Sequence, residues 1–283
     1  MTAGLQPDPC PELPVERGPR GKGVGSWVHE RKHRYLAEYL HATRRAWAAW
    51  PQRVYVDPFC SFGRMLGEGE SFTRDGGAVV AWRESVAGGA PFTRVLVGDL
   101  EPDRSAACTA RLAKLGAPVE RFTGPASEAI VSMVARVPKG ALCMTFIDPY
   151  NLEHLTMDLF KALAPLRTDI AAHFSVYDLN RNKDLEFDPK RARFDGTAPG
   201  WRTDPAVLAA NKVSLPGVFF RYWHGMVKGL GGWEGSREMP LIKTDNNSPR
   251  YRLVFFAKDE LPLRIWNDVA RNGPEGQASL SLV

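Results

Sequence analysis

Two acidic residues, each followed by proline, mark the places in this sequence where chemistry could be done. Asp57 stands in Val54-Tyr55-Val56-Asp57-Pro58-Phe59-Cys60-Ser61-Phe62-Gly63 and Asp148 in Thr145-Phe146-Ile147-Asp148-Pro149-Tyr150. Each ends an apolar, β-prone run. That is the pattern of a buried parallel strand delivering a carboxylate and a sharp turn to the end of an open sheet. Ligands of such sheets bind outside the carboxyl ends of the strands, so both segments point at one site. After Asp57, the small Ser61 and Gly63 would let backbone approach a bound group closely, and glycine also tolerates positive φ. After Asp148, Pro149 holds its carbonyl in a fixed direction and Tyr150 offers an aromatic face. A carboxylate and carbonyl so placed can accept hydrogen bonds from an amine while the ring stacks on a planar heterocycle.

The elements that must position these residues alternate. From Ser26, a plausible N-cap, Trp27, Tyr35, Leu36, Tyr39, Leu40 and Trp47 recur at helical spacing to about Trp50. A strand over 54–57, a Gly-rich loop over 63–77 and a helix over 78–87 follow. The next strand, 94–98, ends in Asp99-Leu100-Glu101-Pro102, with Pro102 opening a helix to about Leu115. A short strand at 120–123, a helix at 127–136 and strands at 141–147 and 170–177 come next. The charged stretch 180–203 reads as a surface insertion, and 204–229 as helix interrupted near Pro216. Leu241-Ile242-Lys243-Thr244, the turn Asn246-Asn247-Ser248-Pro249 and Tyr251-Arg252-Leu253-Val254-Phe255-Phe256 read as strand, turn, strand. Residues 1–24, with five prolines, four glycines and no hydrophobic period, predict a flexible arm ahead of one domain over 25–283.

Composition bounds these readings. The 283 residues are 44% hydrophobic, enough for one large α/β domain with a sizeable core. A net charge of +5 suits a polyanionic partner such as DNA or RNA, and equally a basic protein without one. Cys10, Cys60, Cys108 and Cys143 lie far apart with no CxxC pair, as expected of reduced thiols in a cytoplasmic protein. No signal-like leader opens the sequence, and the longest apolar stretch, around 141–147, is far too short to cross a bilayer. His29-Glu30-Arg31-Lys32-His33 matches the letters of a zinc-binding H-E-x-x-H helix. Its Arg31 and Lys32, with Arg34, describe a solvated face, and Tyr39 stands where a third ligand would be, so no metal is expected. His41, His154, His173 and His224 read as structural or surface residues. A basic group of Arg181, Lys183, Lys190, Arg191 and Arg193 follows Tyr177 near a strand end, where phosphate contacts would be sensible. Asp184, Glu186 and Asp188 dilute it, which leaves a solvated loop equally open.

The loop from Asp57 to Gly63 resembles the Asp-Pro-Phe-x-Gly-x-Gly loop of DNA amino-methyltransferases, with Ser61 at the first glycine. Asp148-Pro149-Tyr150 resembles their (Asp/Asn/Ser)-Pro-Pro-(Tyr/Phe) target-base motif, one proline short. The resemblance implies S-adenosylmethionine as cofactor, held by Asp57, Phe59, Ser61 and Gly63, with Asp99 or Glu101 on the ribose hydroxyls. The usual acid for adenine is replaced by Gly124-Pro125-Ala126-Ser127, so a backbone amide or Ser127 would serve. Asp148, Pro149 and Tyr150 would be the catalytic residues, aiming the exocyclic amine of a flipped base, without a metal.

In order along the chain, Gly25-Ser26-Trp27 with Lys32 and Tyr35-Leu36, the two Asp-Pro segments, 251–256 and Ile265-Trp266 are similar to the three-Cys-motif partner protein family (TcmP). The similarity runs over most of 25–270. It implies a Rossmann-like class I methyltransferase relative, mostly parallel with a C-terminal antiparallel hairpin, that works beside a partner protein. The family's Ala-Gly-x-Gly after the first strand reads Cys60-Ser61-Phe62-Gly63 here. The expectation is therefore a methyltransferase of nucleic acid. A methyltransferase-like scaffold acting through a three-Cys-motif partner, and a small-molecule methyltransferase, are its rivals.

Overall fold

A computed structural model of the chain describes residues 6–18, 21–186, 188 and 191–273. A π-helical segment, Trp27–Lys32, runs into α1, His33–Ala48. The single helix expected from Ser26 is therefore two, and Ser26 does not cap it: its own backbone is already helical and its hydroxyl bonds Asp245 Oδ1 at 3.0 Å. There follow β1 (Arg53–Asp57), a ribbon of β2 (Arg64–Leu66) and β3 (Thr73–Asp75), α2 (Gly77–Ala87), β4 (Arg94–Asp99), α3 (Pro102–Lys114), β5 (Val119–Thr123) and α4 (Ala126–Val134). Then come β6 (Leu142–Ile147), α5 (Met157–Leu163), β7 (Arg167–Ser175), α6 (Val176–Glu186), α7 (Pro205–Leu208) and α8 (Leu215–Gly231). The chain closes with β8 (Glu234–Gly235), β9 (Leu241–Lys243), β10 (Pro249–Ala257) and α9 (Glu260–Asn272).

Three sequence expectations shift for local reasons. The strand expected to Tyr177 stops at Ser175, whose hydroxyl accepts the N–H of Asp178 at 3.2 Å and so starts α6 in the manner of an N-cap. Pro216 does not interrupt a helix but sits at the start of α8, where a missing N–H costs nothing. The Gly-rich loop holds the ribbon β2–β3, closed by a buried Arg64–Asp75 ion pair.

The main sheet runs β5-β4-β1-β6-β7-β10-β8, with β9 also on β10. β1, β4, β5, β6 and β7 pair in parallel, and β10 enters antiparallel against β7. The chain fills the β4 side first and then crosses to β6, so the switch point lies between β1 and β6. Both faces of β1, β4, β6 and β7 are largely buried, which is why they read as apolar runs, whereas β5, at the sheet edge, is half-exposed and carries Glu120 and Arg121. Val54, Val56, Cys143 and Ile147 face a core with α4, α5 and α8, and Tyr55, Val95, Met144 and Phe146 face one with α1, α2 and α9. All four cysteines are buried and free. No helix among the described residues is long and apolar enough to cross a membrane.

The arm expected to be flexible is, in its described part, laid on the domain. Arg111, fully buried in α3, donates to both oxygens of Asp8 at 2.9 and 3.0 Å and to the carbonyls of Cys10, Leu13, Pro14 and Phe62. Glu16 and Val24 bridge in parallel to Met65 and Gly67. One guanidinium replaces the hydrophobic period that the arm lacks. The stretch 180–203 likewise gives more than surface: Phe194, Ala198 and Trp201 are buried in the α8 core. Lys190, and the side chains of Lys183, Asp184 and Glu186, lie outside the described residues.

Candidate functional site

β1 and β6 are parallel neighbours, and they deliver their acids to the same edge. Asp57 is buried; Oδ1 accepts the N–H of Phe59 at 2.9 Å and Oδ2 the Tyr55 hydroxyl at 3.2 Å. Burial pushes its carboxyl up to about 7, because those partners are neutral, and the nearby Asp148 anion adds to the effect. The loop then rises over β4. Cys60 N–H donates to Gly98 O at 2.8 Å, and Ser61 N–H donates to Asp99 Oδ2 at 3.0 Å. Asp99 Oδ1 accepts Glu101 N–H at 3.0 Å, and Gly124 N–H donates to the Asp99 carbonyl at 3.2 Å.

Ser61 has φ +50°, so the serine takes the left-handed conformation that favours glycine. Gly63, at φ +69°, has no room for a Cβ, which would lie 2.9 Å from Cys108 Sγ. The structure thus brings Asp57, Ser61, Gly63, Asp99 and Gly124 together, with Ser127 in the first turn of α4. The Phe59 side chain packs instead toward the α4 core, and Glu101, beside Asp99, is exposed at the start of α3. A carboxylate has about four acceptor positions. Amides fill two of those on the partly exposed Asp99, which retains capacity for hydroxyls such as those of a ribose. The arm reaches this loop too: Glu16 Oε2 accepts the Ser61 hydroxyl at 3.2 Å and pairs with Arg104 at 3.2 Å.

Asp148, directly after β6, is held by charge. Lys32 Nζ lies 2.5 Å from Oδ2 and His173 Nδ1 2.6 Å from Oδ1. Burial alone would raise this carboxyl, but the Lys32 ammonium and the His173 bond hold it far below the usual carboxylate range. Tyr251, on β10, completes the cluster, its ring 3.9 Å from that of His173 and 5.5 Å from Lys32 Nζ. Burial lowers the His173 pKa against the pull of Asp148. A proton shared with the carboxylate at Nδ1 leaves Nε2 as the acceptor nitrogen. Nε2 is buried and has no hydrogen-bond partner among the described residues. Pro149 is buried, whereas Tyr150 is 72% exposed with its ring open to a stacking partner.

The H-E-x-x-H segment is only in part the solvated face its charges suggested: Glu30 and Arg34 are exposed, but His29, Lys32 and His33 are buried. Burial and the Lys32 charge push His33 down to about 3. Among the described residues no group of histidine, cysteine and acidic side chains is placed to hold a metal. Lys32 and His173 were missed as site residues, although each left a trace. Lys32 lies three and four residues before Tyr35 and Leu36, on their stripe, and His173 alternates with Ala171 and Ser175 near the end of its strand.

No protein-family model matches the chain, and no curated protein matches it in sequence. Solved structures do resemble it. The Legionella pneumophila protein LPL1258 is 10% identical over 90% of this chain and 95% of its own, with a TM-score of 0.50. The O-methyltransferase TomG of Streptomyces achromogenes, in complex with SAM, is 15% identical over 78% of each chain, TM-score 0.43. An O-methyltransferase from Bacillus cereus, in complex with SAH, is 10% identical over 79% of this chain and 80% of its own, TM-score 0.43. The sheet itself, mostly parallel with β10 entering antiparallel beside β7, is Rossmann-like.

Proposed function

We propose that the chain is an S-adenosylmethionine-dependent methyltransferase acting on an exocyclic amine of a nucleic-acid base. One observation carries this reading: the Asp57 loop and the Asp148-Pro149-Tyr150 turn open at the ends of adjacent strands on either side of the switch point. When bound, the cofactor supplies an electrophilic methyl group. Asp99 would hold its ribose, the backbone from Ser61 to Gly63 would pass close beneath it, and Asp57 shapes that loop from below. At the other end, Asp148 and the Pro149 carbonyl orient the amine and the Tyr150 ring stacks on the base. Asp148 holds its proton too weakly to be a base, so its part is to accept hydrogen bonds from the amine.

The chain's likeness to the three-Cys-motif partner family supports a second reading, a scaffold that works through a partner protein. The observation in its favour is Glu16, whose carboxylate lies on the very serine that a cofactor would approach. Calorimetric titration with S-adenosylmethionine and S-adenosylhomocysteine separates the two. Micromolar binding that weakens about tenfold in Asp99→Ala, from one lost buried hydrogen bond, supports the enzyme. Asp148→Ala should keep that binding and lose methyl transfer to oligonucleotides; full activity in this variant would sink the assignment. No binding by wild type, alone or with its partner, leaves the scaffold.

A further inference from the structure

Beside the Asp148 cluster, one arginine is held between two rings. Arg250, second residue of β10, has its guanidinium carbon 4.4 Å from the centroid of the Tyr177 ring and 5.2 Å from that of Trp27. Trp27 is itself folded back on Gly25, where an added Cβ would lie 2.0 Å from ring atoms, so the stack has a fixed floor. Stacking covers the faces of a guanidinium and leaves its N–H edge to bond. Yet the Arg250 Nε is buried without a hydrogen-bond partner, and no carboxylate among the described residues lies within ion-pair distance of Arg250. A planar, positioned and unspent fork of donors is the form that grips a phosphate with two parallel bonds.

Its surroundings agree. Tyr251, the next residue, stacks on His173, and its hydroxyl donates to the Trp27 carbonyl at 3.3 Å, so stack and cluster share a wall. Tyr177 stays 40% exposed, and Arg181 lies exposed one turn further along α6. Lys243 pairs in register with Pro249, the residue before Arg250. Asp245, in the turn between β9 and β10, accepts the Ser26 hydroxyl at 3.0 Å.

We propose that the Trp27–Arg250–Tyr177 stack is a docking site for single-stranded nucleic acid, with Arg250 on a backbone phosphate and the open Tyr177 ring under a neighbouring base. This rests on the Proposed function for its substrate class, and it adds where the strand enters. The test is fluorescence anisotropy of the full chain with labelled single-stranded DNA and RNA, without cofactor, over a range of salt. Arg250→Ala should weaken binding about tenfold and reduce the salt slope by about one phosphate contact. Arg250→Lys should recover the slope but little affinity, because ammonium lacks the fork. Tyr177→Ala should cost about fivefold, at the lower end of base–aromatic stacking, with the slope unchanged.

Unaltered affinity and slope in Arg250→Ala, or tighter binding to duplex than to either single strand, would overturn the proposal. Failure of the enzyme reading looks different: binding is lost with Arg250 while wild type neither binds S-adenosylmethionine nor transfers methyl groups. Conversely, a chain that binds cofactor but no oligonucleotide at low salt defeats the docking site alone.

Discussion

Asp57 and Asp148 occupy equivalent places, each at the C-terminal end of a parallel strand and each before a proline, yet their electrostatics are opposite. Asp57 is surrounded by an amide and a phenol, and burial pushes it up to about 7. Asp148 has a lysine on one oxygen and a histidine on the other and stays ionised far below that. Secondary structure alone does not set the chemistry of a strand-end acid; what crosses over it does. Here that is the π-helical turn, which brings Lys32 over Asp148 and leaves Asp57 without a cation. The first acid is held by its own loop and strand, and the second by side chains from two other elements.

The sharpest way to break this contrast is to remove the cation. Lys32→Met keeps the buried stem and leaves the Asp148 charge with His173 alone. Stripping one partner from a buried pair costs about 3–5 kcal/mol, and the low end applies because Asp148 keeps 18% of its side chain exposed. Urea unfolding at neutral pH should show that loss, and adding Asp148→Asn should recover part of it. The sign with pH follows from the depressed carboxyl: its contribution is full above the unfolded value of 3.8 and fades as pH falls toward the folded one. A loss below about 1 kcal/mol in Lys32→Met would mean that Asp148 needs its cation no more than Asp57 does.

Asp57 sharpens the comparison from the other side. A carboxyl at 3.8 unfolded and about 7 folded binds its proton more tightly in the native state, so ionising it destabilises. Its contribution is full below pH 4 and is lost as pH rises to about 7, at up to about 1.4 kcal/mol per unit. Asp57→Asn keeps an acceptor for Phe59 N–H and removes the titration. Relative to wild type, the variant should gain stability steadily across that window and hold the gain above it. Asp169, also pushed up to about 7 by burial under Tyr39, titrates in both proteins and cancels in the difference. Parallel curves for variant and wild type would show that Asp57 is ionised with some unseen compensation.

What could be read from the sequence follows the same division. The acids Asp57, Asp99 and Asp148 were legible because apolar runs, turns and prolines are local signals, and the closing hairpin was legible for the same reason. Their partners were not. Lys32 meets Asp148 across 116 positions and Arg111 meets Asp8 across 103, and no local pattern records such pairings. In both cases a charged residue was credited to solvent, or an arm to flexibility, when a single buried ion pair decides otherwise. The π-turn compounded this, since a regular helix from Ser26 would have carried Lys32 through a different angle.

The smallest effect is expected where the sequence looked most doubtful, at Ser61. A left-handed serine costs on the order of 1 kcal/mol, which Ser61→Gly would relieve. Two losses oppose that gain. Glycine brings more freedom to the unfolded chain, about 0.4–1 kcal/mol, and Glu16 loses the hydroxyl it accepts from. Glu16 keeps Arg104 and the Gly18 N–H, so the second loss falls at the weak end of hydrogen bonds. Stability should therefore change by less than about 0.5 kcal/mol by denaturant midpoint. The loop itself should hold its shape, because the bonds that set it run from the amides of Cys60 and Ser61 to Gly98 and Asp99, and substitution leaves both amides in place. A loss beyond about 1.5 kcal/mol would show instead that the Ser61–Glu16 contact pins loop and arm together. The loop would then depend on a side chain that crosses over it, as Asp148 does, and the contrast between the two acids would narrow to the sign of their neighbours.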